Sequence, residues 1–249
     1  MKLKVVITFH YNEDKLENLR KVIASVRAIQ TESTQIIVCT NQYFATDVQL
    51  DVIDRLYHPY FLAWGHKRHM IHFLDTDFTH FMYLEDDIEV TDKTMQYWLR
   101  NRDLFKRNNL NFLPGIIRVE YDGEDAFAVD VINPDSTKIR PIVSVEGQEF
   151  ISLSEPYQAM FIMDRDDVNQ HIRSKSFMYA TATPFHGAWL IQDLAAQGNM
   201  YEDVPDGFEH RYLVPVKDTK ECWVHHNTNT YINMPESQHS KLPAEHIIV

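Results

Sequence analysis

Glu85, Asp86 and Asp87 stand together in the run Tyr83-Leu84-Glu85-Asp86-Asp87-Ile88-Glu89 and are the residues most suited to chemistry. Adjacent carboxylates raise one another's pKa and oppose ionisation unless a cation neutralises them. Oxygen donors of this kind suit a hard divalent ion, Mn²⁺ or Mg²⁺, that shares its shell with a diphosphate. On an extended chain Glu85 and Asp87 point to one side and Asp86 to the other. A second run, Val224-His225-His226-Asn227, offers two imidazoles. If that run is extended, the two rings point oppositely and one of them reaches a given ion. His66, His69 and His72 recur every third residue and stay loosely grouped on a helix. With no H-E-x-x-H and no cysteine beside them, zinc is not expected there. There is no G-x-S-x-G for a serine nucleophile.

These residues need elements to position them. Lys4 to Phe9 is a short β-branched run, as in a buried parallel strand. Leu16, Leu19, Ile23, Val26 and Ile29 follow at helical steps. Gln35 to Thr40 reads as a second strand ending at Asn41, Ala63 to Leu74 as a helix, and Thr79 to Leu84 as a third strand. The acidic run therefore sits at the carboxyl end of an apolar strand, where open α/β sheets bind ligands. Thr91 to Asn108 reads as a helix capped by Thr91 or Asp92, and Gly115 to Glu120 as a fourth strand.

Beyond Glu120 the texture changes. Ala126 to Ile132, Lys138 to Val145 and Tyr157 to Met163 read as strands, with helices at Asp164 to Ile172 and Ala188 to Gln197. The tail from Tyr231, with Pro235 and Pro243, has no period and is expected to wrap the surface. The pattern predicts one domain over residues 1–249, with halves 1–120 and 121–249. Its class is α/β: a mostly parallel sheet flanked by helices, and a smaller mixed half.

Composition narrows the function. The formal net charge is −12, which argues against a broad nucleic-acid or anionic-membrane surface. The seven glycines form neither G-x-G-x-x-G nor a P-loop, which disfavours dinucleotide dehydrogenases and P-loop NTPases. Cys39 and Cys222 make no C-x-x-C and no disulfide framework. No apolar run reaches the ~18 residues of a membrane span. The expectation is a soluble, cytoplasmic protein.

Ile7-Thr8-Phe9-His10-Tyr11-Asn12-Glu13 resembles the first-strand signature of GT-A-fold nucleotide-sugar glycosyltransferases, and Glu85-Asp86-Asp87 is similar to their metal-binding D-x-D. Glu85 replaces the usual first Asp, a longer arm at the metal. The resemblance implies a Rossmann-like GT-A sheet and a nucleotide lined by Phe9, His10, Tyr11, Asn12, Glu13, Asn41, Glu85 and Asp86. It also implies a basic residue facing the diphosphate, which Gly65-His66-Lys67-Arg68 supplies as Lys67 or Arg68. Metal ligands would be Glu85, Asp87 and a late histidine, His225 or His226. In Trp189-Leu190-Ile191-Gln192-Asp193-Leu194, Asp193 resembles the family's acceptor-side catalytic acid, with Gln192 in place of a Glu. Glu202-Asp203 is the rival pair.

The resulting expectation is transfer of a sugar from a nucleotide diphospho-sugar, uridine-linked, to an acceptor hydroxyl with Mn²⁺ or Mg²⁺. Two other classes share the acidic cluster. A nucleotidyltransferase would attack phosphorus and release pyrophosphate, but usually brings the Gly-rich phosphate loop missing here. A non-catalytic nucleotide-sugar-binding protein is what Glu85 and Gln192 would suit.

Overall fold

The computed structural model describes residues 1–131, 141–153, 156–186 and 190–247, and within it the side chains of residues 183–186 are not described. Residue 132, residues 138–140 and residues 188–189 of the expected elements lie outside the described residues. In chain order the strands are β1 Lys2–Phe9, β2 Ser33–Thr40, β3 Gln49–Val52, β4 His80–Glu85, β5 Ile88–Glu89, β6 Leu113–Pro114, β7 Ile117–Asp122, β8 Asp125–Ala128, β9 Ile142–Val145, β10 Gln148–Ile151, β11 Met160–Asp164, β12 Tyr212–Pro215, β13 Trp223–His226 and β14 Leu242–Pro243. The helices are α1 Leu16–Ala28, α2 His66–Ile71, α3 Asp92–Arg107, α4 Arg165–Ile172, α5 Tyr179–His186 and α6 Ile191–Ala196. No helix among the described residues is long and apolar enough to cross a membrane.

The chain divides into two units, Met1–Ile88 with Ala159–Asn199, and Glu89–Gln158 with Met200–Val249. The boundary is therefore not near residue 120. The chain leaves the first unit after Ile88 and returns to it at Ala159. Asp193 thus belongs to the first unit rather than to a C-terminal acceptor half.

The first unit is a five-stranded sheet in the order β11-β4-β1-β2-β3. β1 pairs in parallel with both β2 and β4, and β2 with β3. Leu3, Val5, Val6 and Ile7 are all fully buried, because a central parallel strand has helices over both faces. β11 adds an antiparallel edge to β4, pairing Met160 with Leu84 and Asp164 with His80. α1 buries Leu19, Val22, Ile23 and Val26, the stripe its periodicity predicts. The expected helix 63–74 is broken up. A 3₁₀ turn over Pro59–Gly65 leads into the six residues of α2, and a second 3₁₀ turn follows at Phe73–Asp75.

The second unit carries two sheets, β6-β12-β10-β9 and β14-β8-β7-β13-β5. The expected fourth strand, observed as β7, pairs with β8 and β13 rather than joining the first sheet. Leu104 and Phe105 of α3 pack on Phe112, Val145, Phe150 and Leu213 to form one core of this unit. Thr91 caps α3 by accepting a hydrogen bond from the Thr94 N–H at 3.1 Å. The tail is not without structure: Leu242 and Pro243 pair with Ala128 and Phe127.

Candidate functional site

Chain order runs β1, β2, β3 to one side of β1, and β4 then takes its place on the other side. The gap between the carboxyl ends of β1 and β4 is therefore the topological switch point of the sheet, where open α/β sheets open a ligand crevice. Glu85 ends β4 in register with Thr8 of β1, and Asp86-Asp87 form the turn beyond it. Tyr83 and Leu84, just before, are fully buried, so the strand is anchored up to the first carboxylate. The Glu85 N–H donates to the carbonyl of Ala159 at 3.2 Å. Ala159 holds φ 51, a left-handed conformation that costs a non-glycine residue roughly 1–2 kcal/mol. Strain of this kind gathers at functional sites, and here it lies directly against the acidic strand end.

Across the switch point the chain leaves β1 through His10, which is exposed, and Tyr11, which is half-buried. The Tyr11 N–H donates to Asn41 Oδ1 at 2.7 Å, tying the end of β1 to the end of β2. Rings of Phe9, Tyr11 and Phe44 contact one another with centroids 5.5–6.1 Å apart. Phe9 itself is fully buried, so it backs Tyr11 and presents no face to a ligand. Asn12 accepts from the Asp14 N–H at 3.0 Å and caps the turn into α1, and Glu13 is exposed in that turn.

The structure therefore brings Tyr11, Asn41, Glu85, Asp86 and Asp87 to the carboxyl ends of three neighbouring strands. Among the described residues Glu85, Asp86 and Asp87 do not converge as a three-ligand cluster.

One basic expectation is corrected. Lys67 is buried, with Nζ 2.5 Å from His171 Nε2 and 5.5–5.6 Å from the ring centroids of Trp64, Phe161 and Phe177. Burial drives its pKa well below the ordinary lysine value, and its amine is turned to His171 and these rings. Arg68 pairs with Asp51 of β3, and its side chain is 46% exposed. His66 is fully buried, with Nδ1 2.6 Å from the Ala63 carbonyl and its ring 4.3 Å from Tyr83.

The two late histidines separate in role. His226 is buried, its Nδ1 2.6 Å from Glu120 Oε1 and its Nε2 3.2 Å from Thr228 Oγ1. Both ring nitrogens are thus engaged inside the second unit, and the expectation of His226 as a metal ligand is withdrawn. His225 is more open, with Nε2 3.4 Å from Asn229 Oδ1 and Nδ1 3.8 Å from Glu89. Asp193 lies in the first turn of α6, whose backbone is tied to the sheet side of its own unit by Trp64 Nε1–H donating to Ile191 O at 2.9 Å. Of the rival pair, Asp203 lies in the second unit with φ 52.

Sequence reasoning missed the convergence of Cys39, Asp51 and His69, whose ligand atoms all lie within 4.8 Å of one another. The signal was the histidine triplet, but its partners sit on strands distant in sequence.

No family model and no curated protein matches the chain. Among solved structures, it is similar to S. aureus TarS, with TM-score 0.41 and 8% identity over 69% of this chain and 30% of that one. A shorter TarS structure, residues 1–349, gives TM-score 0.46 and 8% identity over 93% of this chain and 63% of that one. A glycosyltransferase involved in glycosylating the major capsid of PBCV-1 gives TM-score 0.38 and 11% identity, over 85% and 80% of the two chains. The chain thus spans less than two thirds of either TarS structure. The functional reading below rests on the site alone.

Proposed function

We propose that this chain is a metal-dependent glycosyltransferase of GT-A type that takes a nucleotide diphospho-sugar, uridine-linked, and transfers the sugar to an acceptor hydroxyl. The observation that carries the reading is the acidic turn Glu85-Asp86-Asp87 at the switch point, beside the Tyr11–Asn41 pair. Tyr11 offers a ring face for a base. Asn41 spends its carbonyl oxygen on the Tyr11 N–H and carries amide N–H donors of the kind that pair with pyrimidine carbonyls. Glu85 and Asp87 would hold Mn²⁺ or Mg²⁺, which when bound neutralises charge on the departing diphosphate. Asp193 is assigned as the base that takes the acceptor hydroxyl proton as oxygen bonds to the anomeric carbon and the bond to the diphosphate breaks.

The test is calorimetric titration of UDP with and without Mn²⁺, on the parent and on Asp87→Asn. The expected result is Mn²⁺-dependent binding that the substitution weakens by roughly 10–100-fold, the scale of one charged interaction. Metal-independent binding with equal affinity in both proteins would sink the reading.

A further inference from the structure

Apart from the acidic turn at the switch point, the first unit gathers another group of potential ligand atoms. Cys39 of β2 and Asp51 of β3 are register partners in a parallel pair, so their side chains leave the sheet on the same face. His69 reaches the same carboxylate from α2. Cys39 Sγ is 3.8 Å from Asp51 Oδ2, and His69 Nε2 is 2.6 Å from that oxygen. Zinc bonds of about 2.3 Å to sulfur and about 2.0–2.2 Å to nitrogen and oxygen place tetrahedral ligands about 3.3–3.8 Å apart. The thiol–carboxylate pair lies at the upper end of that spacing, the imidazole must withdraw from the carboxylate by about 0.7 Å, and the ligand atoms of all three lie within 4.8 Å of one another.

We propose that Cys39, Asp51 and His69 form a zinc site that fastens the edge strand β3 to α2, with a fourth position open to water.

The donor set is the one zinc selects: a thiolate, an imidazole and one carboxylate oxygen. Three separate elements deliver it. Gly65, at the start of α2, leaves room for it, since a Cβ there would come within 3.3 Å of the Cys39 sulfur and 2.7 Å of Ile53. Thiolate and carboxylate offset the dication, the Arg68 guanidinium leaves one positive charge over, and because Arg68 pairs with Asp51 through Oδ1, Oδ2 faces the metal position. Cys39 is fully buried, while the side chains of Asp51 and His69 keep 19% and 15% exposure, enough for an entry path and a water. A thiol must lose its proton to ligate, so zinc binding releases a proton at Cys39. This site shares no residue with the proposed nucleotide site and stands whether or not that reading survives.

The experiment uses the whole chain, stripped with chelator and titrated with Co²⁺, which reports its ligands by colour. A tetrahedral cobalt spectrum with a sulfur-to-cobalt charge-transfer band, saturating at one equivalent and displaced by Zn²⁺, is expected. Cys222→Ser should keep the band, Cys39→Ser should lose it, and His69→Gln should weaken binding at least about tenfold, the lower end of what a lost ligand interaction costs. Absence of the band in the parent overturns the proposal without any variant having to fold. So does a band that follows Cys222 instead of Cys39.

Discussion

Glu120 offers the sharpest quantitative test of the second unit. It is fully buried on β7, and each of its oxygens serves two donors. Oε1 accepts from His226 Nδ1–H at 2.6 Å and from the Tyr231 N–H at 3.1 Å. Oε2 accepts from the Ile232 N–H at 2.7 Å and from the Ser240 hydroxyl at 2.8 Å. Burial alone would raise its pKa, but the bonds from His226, Ser240, Tyr231 and Ile232 outweigh it and hold the carboxyl at about 2, against an ordinary 4.5. Glu120→Gln keeps the shape and loses the charge. Whichever way the amide turns, its NH₂ faces a backbone N–H, of Tyr231 or of Ile232. One unsatisfied buried donor plus weakened charged bonds should cost roughly 3–5 kcal/mol. The sign of the pH dependence follows from the depressed value. The parent's advantage is complete above pH 4.5 and is lost as pH falls towards 2, a change of roughly 3 kcal/mol. Urea unfolding of both proteins from neutral pH down to the acid limb would measure it, with the Glu120 carboxyl followed by carbon NMR. Parallel stability curves, or a neutral-pH difference under about 1 kcal/mol, would refute the hydrogen-bond account.

Two further outcomes concern buried charge. Lys67→Met should abolish an alkaline rise in stability: as pH climbs towards the ordinary lysine value of 10.5 the buried amine sheds its proton before the unfolded one does, so the parent's stability rises by up to about 1.4 kcal/mol per pH unit, and urea unfolding across the alkaline range should show the two curves diverging. Arg118 donates to both oxygens of Asp130 at 2.6 and 2.7 Å with side chains only 7% and 12% exposed, so Asp130→Leu alone should cost about 3 kcal/mol and adding Arg118→Met should recover most of it in a double-mutant cycle; additive losses would mean that the pair is not coupled.

What the sequence made legible was set by local order. β1, α1, β2, β4, α3 and α4 all lie where periodicity and caps put them, because a buried parallel strand and an amphipathic helix each write their pattern into consecutive residues. β3 went unseen because Gln49–Val52 is four residues long, half polar, and a sheet edge. The partners of β7 were illegible for another reason. Ile117–Asp122 reads equally well as a strand of either sheet, and only the long return of the chain at Ala159 gives the last place beside β4 to β11.

The same distinction decides which site residues could be foreseen. The acidic turn was readable because its three carboxylates are consecutive and their strand is apolar to its end, so type and place arrive together. Basic and imidazole side chains on α2 were not, since a helix of six residues turns successive side chains about 100° apart and so towards different surroundings. Lys67 goes inward to His171 and three rings, Arg68 outward to Asp51, and His69 to the Asp51–Cys39 pair. Lys67 and Arg68, which the motif treats as interchangeable cations, therefore meet different partners. The composition of a short helix names the chemistry available, and the strands packed beneath it decide which residue performs it.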